Sequence, residues 1–90
     1  MFNVGIVGCG NIGKRHVAVF DTNPETKILS LCDIQLQKAN AINEKYGGAY
    51  ALLTDYFELI KNVEIDLISI CTPHYWHKQM AIAALKQGKH

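Results

Sequence analysis

The stretch Val4-Gly5-Ile6-Val7-Gly8-Cys9-Gly10-Asn11-Ile12-Gly13 decides the fold of this 90-residue chain. Its first four residues form a short apolar run, and a glycine turn follows at once. A helical pattern begins near Asn11 or Ile12 and fades before Asn23-Pro24-Glu25, a sequence typical of turns. A buried strand that passes through a glycine turn into a helix is the context in which Gly-x-Gly-x-x-Gly has a physical meaning.

Each glycine of this turn has a separate task. Gly8 permits the tight turn, Gly10 lets the backbone approach a pyrophosphate without a Cβ in the way, and Gly13 lets helix and strand pack closely. The free N–H groups at the helix start then face an anion, supported by the helix dipole. We therefore predict that the turn binds a dinucleotide through Gly8, Cys9, Gly10, Asn11, Ile12 and Gly13. A glycine turn that serves packing alone is the alternative.

An acidic partner strengthens the prediction. Asp33 ends the apolar run Ile28–Cys32 and lies 20 residues beyond Gly13, which matches the spacing of about 20 expected for a carboxylate that binds ribose hydroxyls. Ile34-Gln35 follows it, with no arginine to accept a 2′-phosphate. The predicted cofactor is therefore NAD, with NADP as the second possibility.

Two other glycine motifs fit less well. The glycine motif of S-adenosylmethionine methyltransferases usually has an acidic residue two positions before its first glycine, where this chain has Ile6. Its third glycine comes two positions after the second, where this chain has Ile12. No Gly-Lys-Ser/Thr follows the turn, which excludes a Walker loop.

Further apolar runs predict a parallel sheet. Ile28–Cys32 and Ile65–Cys71 are rich in β-branched residues and nearly continuous, as in strands buried on both faces, and Ala49–Leu53 is a weaker candidate. Helical patterns lie between the runs. The second helical pattern carries Ala39, Ile42 and Tyr46 on one stripe and stops at Gly47-Gly48. The third opens with Asp55 and Glu58 at capping-box spacing. It turns Leu59 and Ile60 inward. The fourth runs from about Tyr75 to Gln87.

Alternating strands and helices predict an α/β fold, a Rossmann-type doubly wound parallel sheet with strand order 3-2-1-4. A complete six-stranded domain does not fit into 90 residues. We therefore expect residues 1–90 to be the N-terminal portion of the dinucleotide-binding domain, with the rest of that domain and a substrate domain outside this chain.

The composition limits the binding partners that the protein can have. A net charge of +1 gives no basis for binding nucleic acid, and no apolar run approaches the roughly 20 residues that span a bilayer. The N-terminus has no basic segment followed by an apolar one, so we expect a cytoplasmic protein without a membrane partner. Cys9, Cys32 and Cys71 are odd in number and lack Cys-x-x-Cys spacing, which favours small buried thiols over a disulfide framework or a zinc knuckle.

The segment Cys71-Thr72-Pro73-His74-Tyr75-Trp76-His77 follows the strand predicted to lie beside the first one. Ligands of open α/β sheets bind at this switch point, so Thr72, His74 and His77 supply polar groups beside the cleft, and Pro73 stiffens the turn. Each histidine has a structural alternative: His74 as a solvated helix-start residue, His77 as the donor to a nearby carbonyl. A metal site is disfavoured, because the cysteines come from separate strand ends.

The whole chain resembles the glucose–fructose oxidoreductase, inositol 2-dehydrogenase and rhizopine-catabolism proteins, the Gfo/Idh/MocA family. The resemblance lies in Gly8-x-Gly-x-x-Gly13-x-x-His16, in Asp33, in Tyr50–Tyr56 with its Thr54-Asp55, in Ser69–Pro73 with His77, and in Gly88-Lys-His90.

The resemblance implies NAD or NADP binding and hydride transfer to or from a small-molecule sugar, cyclitol or similar carbinol. It implies that Thr72, Pro73 and His74 lie near the nicotinamide ribose, although many members have Asn where this chain has His74. The family's Glu-Lys-Pro motif, whose lysine assists proton transfer, is expected just after residue 90. Within the chain, His77 is the candidate catalytic residue.

Two classes of function therefore remain: an NAD(P)-dependent oxidoreductase, expected to be a homo-oligomer at full length, and a non-catalytic NAD(P)-binding or redox-sensing module. The chain alone is expected to be inactive.

Overall fold

The computed structural model describes residues 1–72 and 74–90, and the side chains of all of these except 74–78. Within them, four strands alternate with four helices. The elements are β1 Phe2–Val7, α1 Asn11–Thr22, β2 Thr26–Cys32, α2 Leu36–Lys45, β3 Ala51–Leu53, α3 Tyr56–Lys61, β4 Leu67–Ile70 and α4 His74–Lys86. None of these helices is both long and apolar enough to cross a membrane.

The strands form one parallel sheet in the order β3-β2-β1-β4, which confirms the prediction. Its carboxyl ends are in register: Val7 pairs with Cys32 on one side and with Ile70 on the other, and Cys32 pairs with Leu53. The four strand ends therefore open onto a single edge, and the turns that follow them meet there.

Helices cover both faces of the sheet. On one face, Val4 and Ile6 of β1 pack in one cluster with Val17 of α1 and Ile42 of α2. On the other face, Val7 packs in a second cluster with residues of α3 and α4, including Leu59, Ile60, Met80 and Ala84. Alternate residues of a strand point to opposite faces, so the nearly continuous apolar runs of the sequence fill both clusters.

The predicted bounds of the third and fourth strands were wrong, as was the predicted capping box of the third helix. β3 begins at Ala51 rather than Ala49, and β4 ends at Ile70 rather than Cys71. The fourth strand begins at Leu67, because Ile65 is buried outside the ladder and its carbonyl accepts a hydrogen bond from the Lys89 ammonium at 2.6 Å. The Asp55 carboxylate caps α3 through the Phe57 amide at 2.9 Å, whereas a capping box would use the Glu58 amide. That amide bonds the Asp55 backbone carbonyl instead.

The outer edge of β4 bears on whether the isolated chain self-associates. His90 pairs with this edge, donating to Asp66 O at 3.1 Å and accepting from the Ile68 amide at 2.8 Å. Because amides alternate along a parallel strand, the Ile70 amide faces the same edge. An apolar strand with an open edge pairs with other chains, so the 90-residue chain produced alone should self-associate with rising concentration.

Light scattering tests this expectation, with Ile70→Pro as the matched variant, since proline removes the outward N–H and blocks edge pairing. The variant should be less associated than the wild type. A monomeric wild-type chain with a cooperative melt would show that the edge is protected.

Candidate dinucleotide-binding site

A cavity of about 380 Å³ lies at the carboxyl edge of the sheet. It is lined by the last residues of β1 and β2, by residues from the turns after all four strands, and by single residues of α2, α3 and α4. Of the residues that the sequence singled out for cofactor binding, Gly8, Gly10, Asp33 and Thr72 line this cavity. The structure therefore brings the glycine turn, the acidic residue and the end of β4 together around one space.

The glycine turn is packed tightly on one side and open on the other. Gly8 has φ +93°, and a Cβ built on it would lie 2.8 Å from the carbonyl carbon of Cys71. A Cβ on Gly13 would lie 2.0 Å from the Gly8 carbonyl oxygen. A Cβ on Gly10 would meet no heavy atom of the described residues within 4 Å. Gly8 and Gly13 are thus required by contacts within the protein, whereas Gly10 borders space that a ligand can fill.

The start of α1 is suited to an anion. Gly10 is its N-cap residue, no hydrogen bond from a described side chain caps the helix, and its first turn contains no acidic residue. The side chains of Asn11 and Ile12 are exposed and are not among the cavity-lining residues, so these two residues would meet a cofactor through their backbone amides. Unbonded N–H groups and the positive end of the helix dipole favour a phosphate there.

Asp33 connects the end of β2 to the glycine turn. Its Oδ2 accepts a hydrogen bond from the Cys9 amide and its Oδ1 accepts one from the Gln35 amide, both at 2.8 Å. A carboxylate has about four acceptor positions, so the half-buried Asp33 retains capacity for ribose hydroxyls. The Cys9 amide, however, is directed at Asp33, so it is already satisfied within the protein.

The three thiols belong to the packing around the cavity. Burial, followed by the charge of Asp33, raises the pKa of Cys9 and the pKa of Cys32 to about 12. Burial also raises the pKa of the half-buried Cys71. All three stay protonated at neutral pH, and Cys9 and Cys32 are the small buried thiols that the sequence predicted. Among the side chains described, no group of three His, Cys, Asp or Glu is arranged to hold a metal.

The turn after β4 is described only as far as Thr72. The Thr72 hydroxyl donates to Met80 Sδ at 3.6 Å, which ties this turn to α4. Pro73 and the side chains of His74 and His77, which the sequence proposed for cofactor binding and catalysis, lie outside the described residues.

Part of the cavity wall was not predicted from the sequence. Ile34 is 87% exposed and lines the cavity directly beside Asp33. An apolar side chain in that place suits the face of an adenine ring. Eight more residues line the cavity without having been predicted to do so: Val7, Cys32, Gln35, Lys38, Thr54, Tyr56, Cys71 and Met80. A general signal existed for four of them, because Val7 and Cys32 end a strand and Thr54 and Cys71 directly follow one, where ligands of such sheets bind.

The fold and the glycine turn define a Rossmann-type dinucleotide-binding unit. Residues 2–90 match the family model described as "Oxidoreductase family, NAD-binding Rossmann fold", the Gfo/Idh/MocA family. The chain belongs to that family.

Known proteins of this family are similar to the chain in sequence and in structure. The chain is 32% identical to D-glucoside 3-dehydrogenase of Escherichia coli over 88 residues, 97% of this chain and 25% of that protein. It is 31% identical to inositol 2-dehydrogenase of Salmonella typhimurium over 87 residues, 96% of this chain and 26% of that protein. Scyllo-inositol dehydrogenase from Lactobacillus casei, solved with bound NAD(H) and scyllo-inositol, superimposes with a TM-score of 0.89 at 25% identity, covering 100% of this chain and 26% of the other. The chain thus spans about a quarter of the length of each of these relatives.

Proposed function

We propose that residues 1–90 are the N-terminal portion of the dinucleotide-binding domain of an NAD-dependent oxidoreductase, whose substrate is a carbinol of a sugar, cyclitol or sugar derivative. The observation that carries the proposal is Asp33, held against the glycine turn by the Cys9 amide at the rim of the cavity. A ribose-binding carboxylate and an uncapped helix start next to one cavity are what an adenosine ribose followed by a pyrophosphate requires.

NAD bound there would supply the acceptor for the hydride of the carbinol C–H bond, while the hydroxyl proton passes to a base and a carbonyl forms. In this chain, Gly10 and the first amides of α1 bind the pyrophosphate, Asp33 binds the adenosine ribose, and Ile34 contacts the adenine. Thr72, Pro73 and His74 follow the strand beside β1 and are proposed to bind near the nicotinamide ribose.

Proton transfer is assigned mainly to a lysine beyond residue 90, in the family's Glu-Lys-Pro motif. Within this chain, His77 is the alternative for proton transfer, since an imidazole has an unperturbed pKa near 6.5. We propose that it ranks below the lysine and mainly orients substrate or nicotinamide. The relatives whose names specify glucosides and inositols support the substrate class. The full-length protein is proposed to be cytoplasmic and homo-oligomeric. The free thiols of Cys9, Cys32 and Cys71 support a reducing compartment.

The test is NADH formation by the full-length protein with a panel of inositols, glucosides and free sugars. We expect turnover with at least one of them and none with the 90-residue chain alone. His77→Ala should lower kcat modestly, while replacement of the downstream lysine should nearly abolish turnover, because general acid–base catalysis contributes about 10²–10⁴-fold.

Normal turnover after the lysine change, together with loss after His77→Ala, would make His77 the acid–base group. If the full-length protein binds NAD but forms no NADH with any compound of the panel, the result would favour the alternative, a non-catalytic NAD(P)-binding or redox-sensing module.

A further inference from the structure

A polar contact joins α1 to β4 across the face of the sheet. The His16 Nδ1 of α1 and the Ser69 Oγ of β4 share a hydrogen bond, although the two residues are 53 positions apart. Ser69 Oγ also lies 3.6 Å from Cys71 Sγ, within hydrogen-bond distance for sulfur. Cys71 in turn lines the cavity. A chain of three polar side chains therefore runs from the middle of α1 to the cavity wall.

Ser69 is an unusual residue at its place. It is 8% exposed, and Leu67 on the same strand and Cys71 directly after it pack against the apolar cluster shared with α1 and α2. A buried hydroxyl costs free energy unless it is hydrogen-bonded. Burial of apolar side chains is non-directional, whereas a hydrogen bond has a preferred distance and angle. The His16–Ser69 pair thus adds a fixed alignment to a contact that apolar packing alone would leave adjustable.

That alignment matters because the glycine turn and the end of β4 touch. A Cβ on Gly8 would lie 2.8 Å from the Cys71 carbonyl carbon, and a Cβ on Gly13 would lie 3.9 Å from Cys71 Cβ. The start of α1 and the end of β4 are the two sides of the cavity, one for the pyrophosphate and one leading to the turn at Thr72. A slip of α1 along β4 would change the distance between these two sides.

We propose that His16 and Ser69 are positioning residues that fix α1 against β4 and so set the spacing between the pyrophosphate side and the nicotinamide side of the cofactor site. The proposal rests on the proposed function, because only a ligand that spans both sides senses this spacing. A dinucleotide spans both sides, whereas AMP occupies only one of them: its adenosine lies by Asp33 and Ile34 and its phosphate by the start of α1.

The experiment measures the Kd of NAD and the Kd of AMP for the full-length protein. His16→Phe keeps a ring but removes Nδ1, and Ser69→Ala removes the hydroxyl. Each should weaken NAD binding by about 3- to 10-fold, the range for one net hydrogen bond, and leave AMP binding within about twofold. The double variant should be no weaker than either single one, since both remove the same bond. His16→Asn, whose side-chain amide can reach the position of Nδ1, should restore part of the NAD affinity.

Thr26→Val is the matched control, because the Thr26 hydroxyl donates to the Phe20 carbonyl at 2.8 Å and ties the opposite end of α1 to β2. It should leave the ratio of the two Kd values unchanged. A melting curve for each variant confirms that it is folded.

An unchanged ratio in folded His16→Phe and Ser69→Ala, or an equal loss of AMP affinity, would overturn the positioning role alone. Failure of the wild-type protein to bind NAD would overturn the proposed function as well.

Discussion

Gly13→Ala should destabilise the protein and abolish NAD binding. Alanine is normally favoured over glycine inside a helix by roughly 0.5–1 kcal/mol. Here, however, its Cβ would lie 2.0 Å from the Gly8 carbonyl oxygen, a backbone atom that cannot rotate away. Overpacking costs typically about 1–3 kcal/mol and occasionally more. We expect a fall in melting temperature of roughly 5 °C or more in the full-length protein.

Gly10→Ala is the matched variant for this prediction. Within the part of the chain that the structure describes, the same added methyl group meets no heavy atom within 4 Å, and φ −79° is ordinary for alanine. The melting temperature should stay the same, while the NAD affinity should fall, because the methyl group occupies the space through which the pyrophosphate approaches. Wild-type melting of Gly13→Ala would contradict the close contact within the turn. Wild-type NAD binding by Gly10→Ala would show that the cofactor does not pass over this residue.

Asp33→Ala should have the second large effect, on both affinity and stability. Loss of the hydrogen bonds between a carboxylate and the ribose costs about 1.5–3 kcal/mol, or roughly 10- to 150-fold in NAD affinity. The change also leaves the Cys9 and Gln35 amides without their acceptor, which should lower the melting temperature. Discrimination against NADP should shrink, because the charge that repels a 2′-phosphate is gone.

Calorimetric titration with both cofactors checks this prediction, and Asp66→Ala provides the control. Asp66 Oδ2 accepts a hydrogen bond from the Asn3 amide at 2.9 Å, at the opposite edge of the sheet. Its removal deletes one carboxylate-to-backbone bond without touching the cavity, so NAD affinity should not change. Equal NAD affinities of wild type and Asp33→Ala would rule out the ribose assignment.

The sequence predicted the order of the strands and the chemistry of the turn because both follow from local patterns. Apolar runs, crossover handedness and the spacing of Gly8, Gly10 and Gly13 are sufficient for them. It did not predict where β4 begins, because the Ile65 carbonyl is taken by Lys89, a contact that depends on the folded chain.

The second role of Asp33 was missed for a similar reason. Spacing indicated a ribose-binding carboxylate, but the hydrogen bond to the Cys9 amide joins residues 24 positions apart and depends on how β1 and β2 pair. The hydrogen bond between His16 and Ser69 likewise depends on how α1 lies on β4. Patterns within single elements identify the elements, whereas contacts between them require the three-dimensional arrangement.

The most direct test of the central claim is a titration of the full-length wild-type protein with NAD and with NADP. With Asp33 at the rim of the cavity and no arginine after it, we expect saturable binding of one NAD per chain and at least about tenfold weaker binding of NADP. Tighter binding of NADP would contradict the role given to Asp33, and the absence of binding by either cofactor would contradict the assignment of this site as a dinucleotide-binding site.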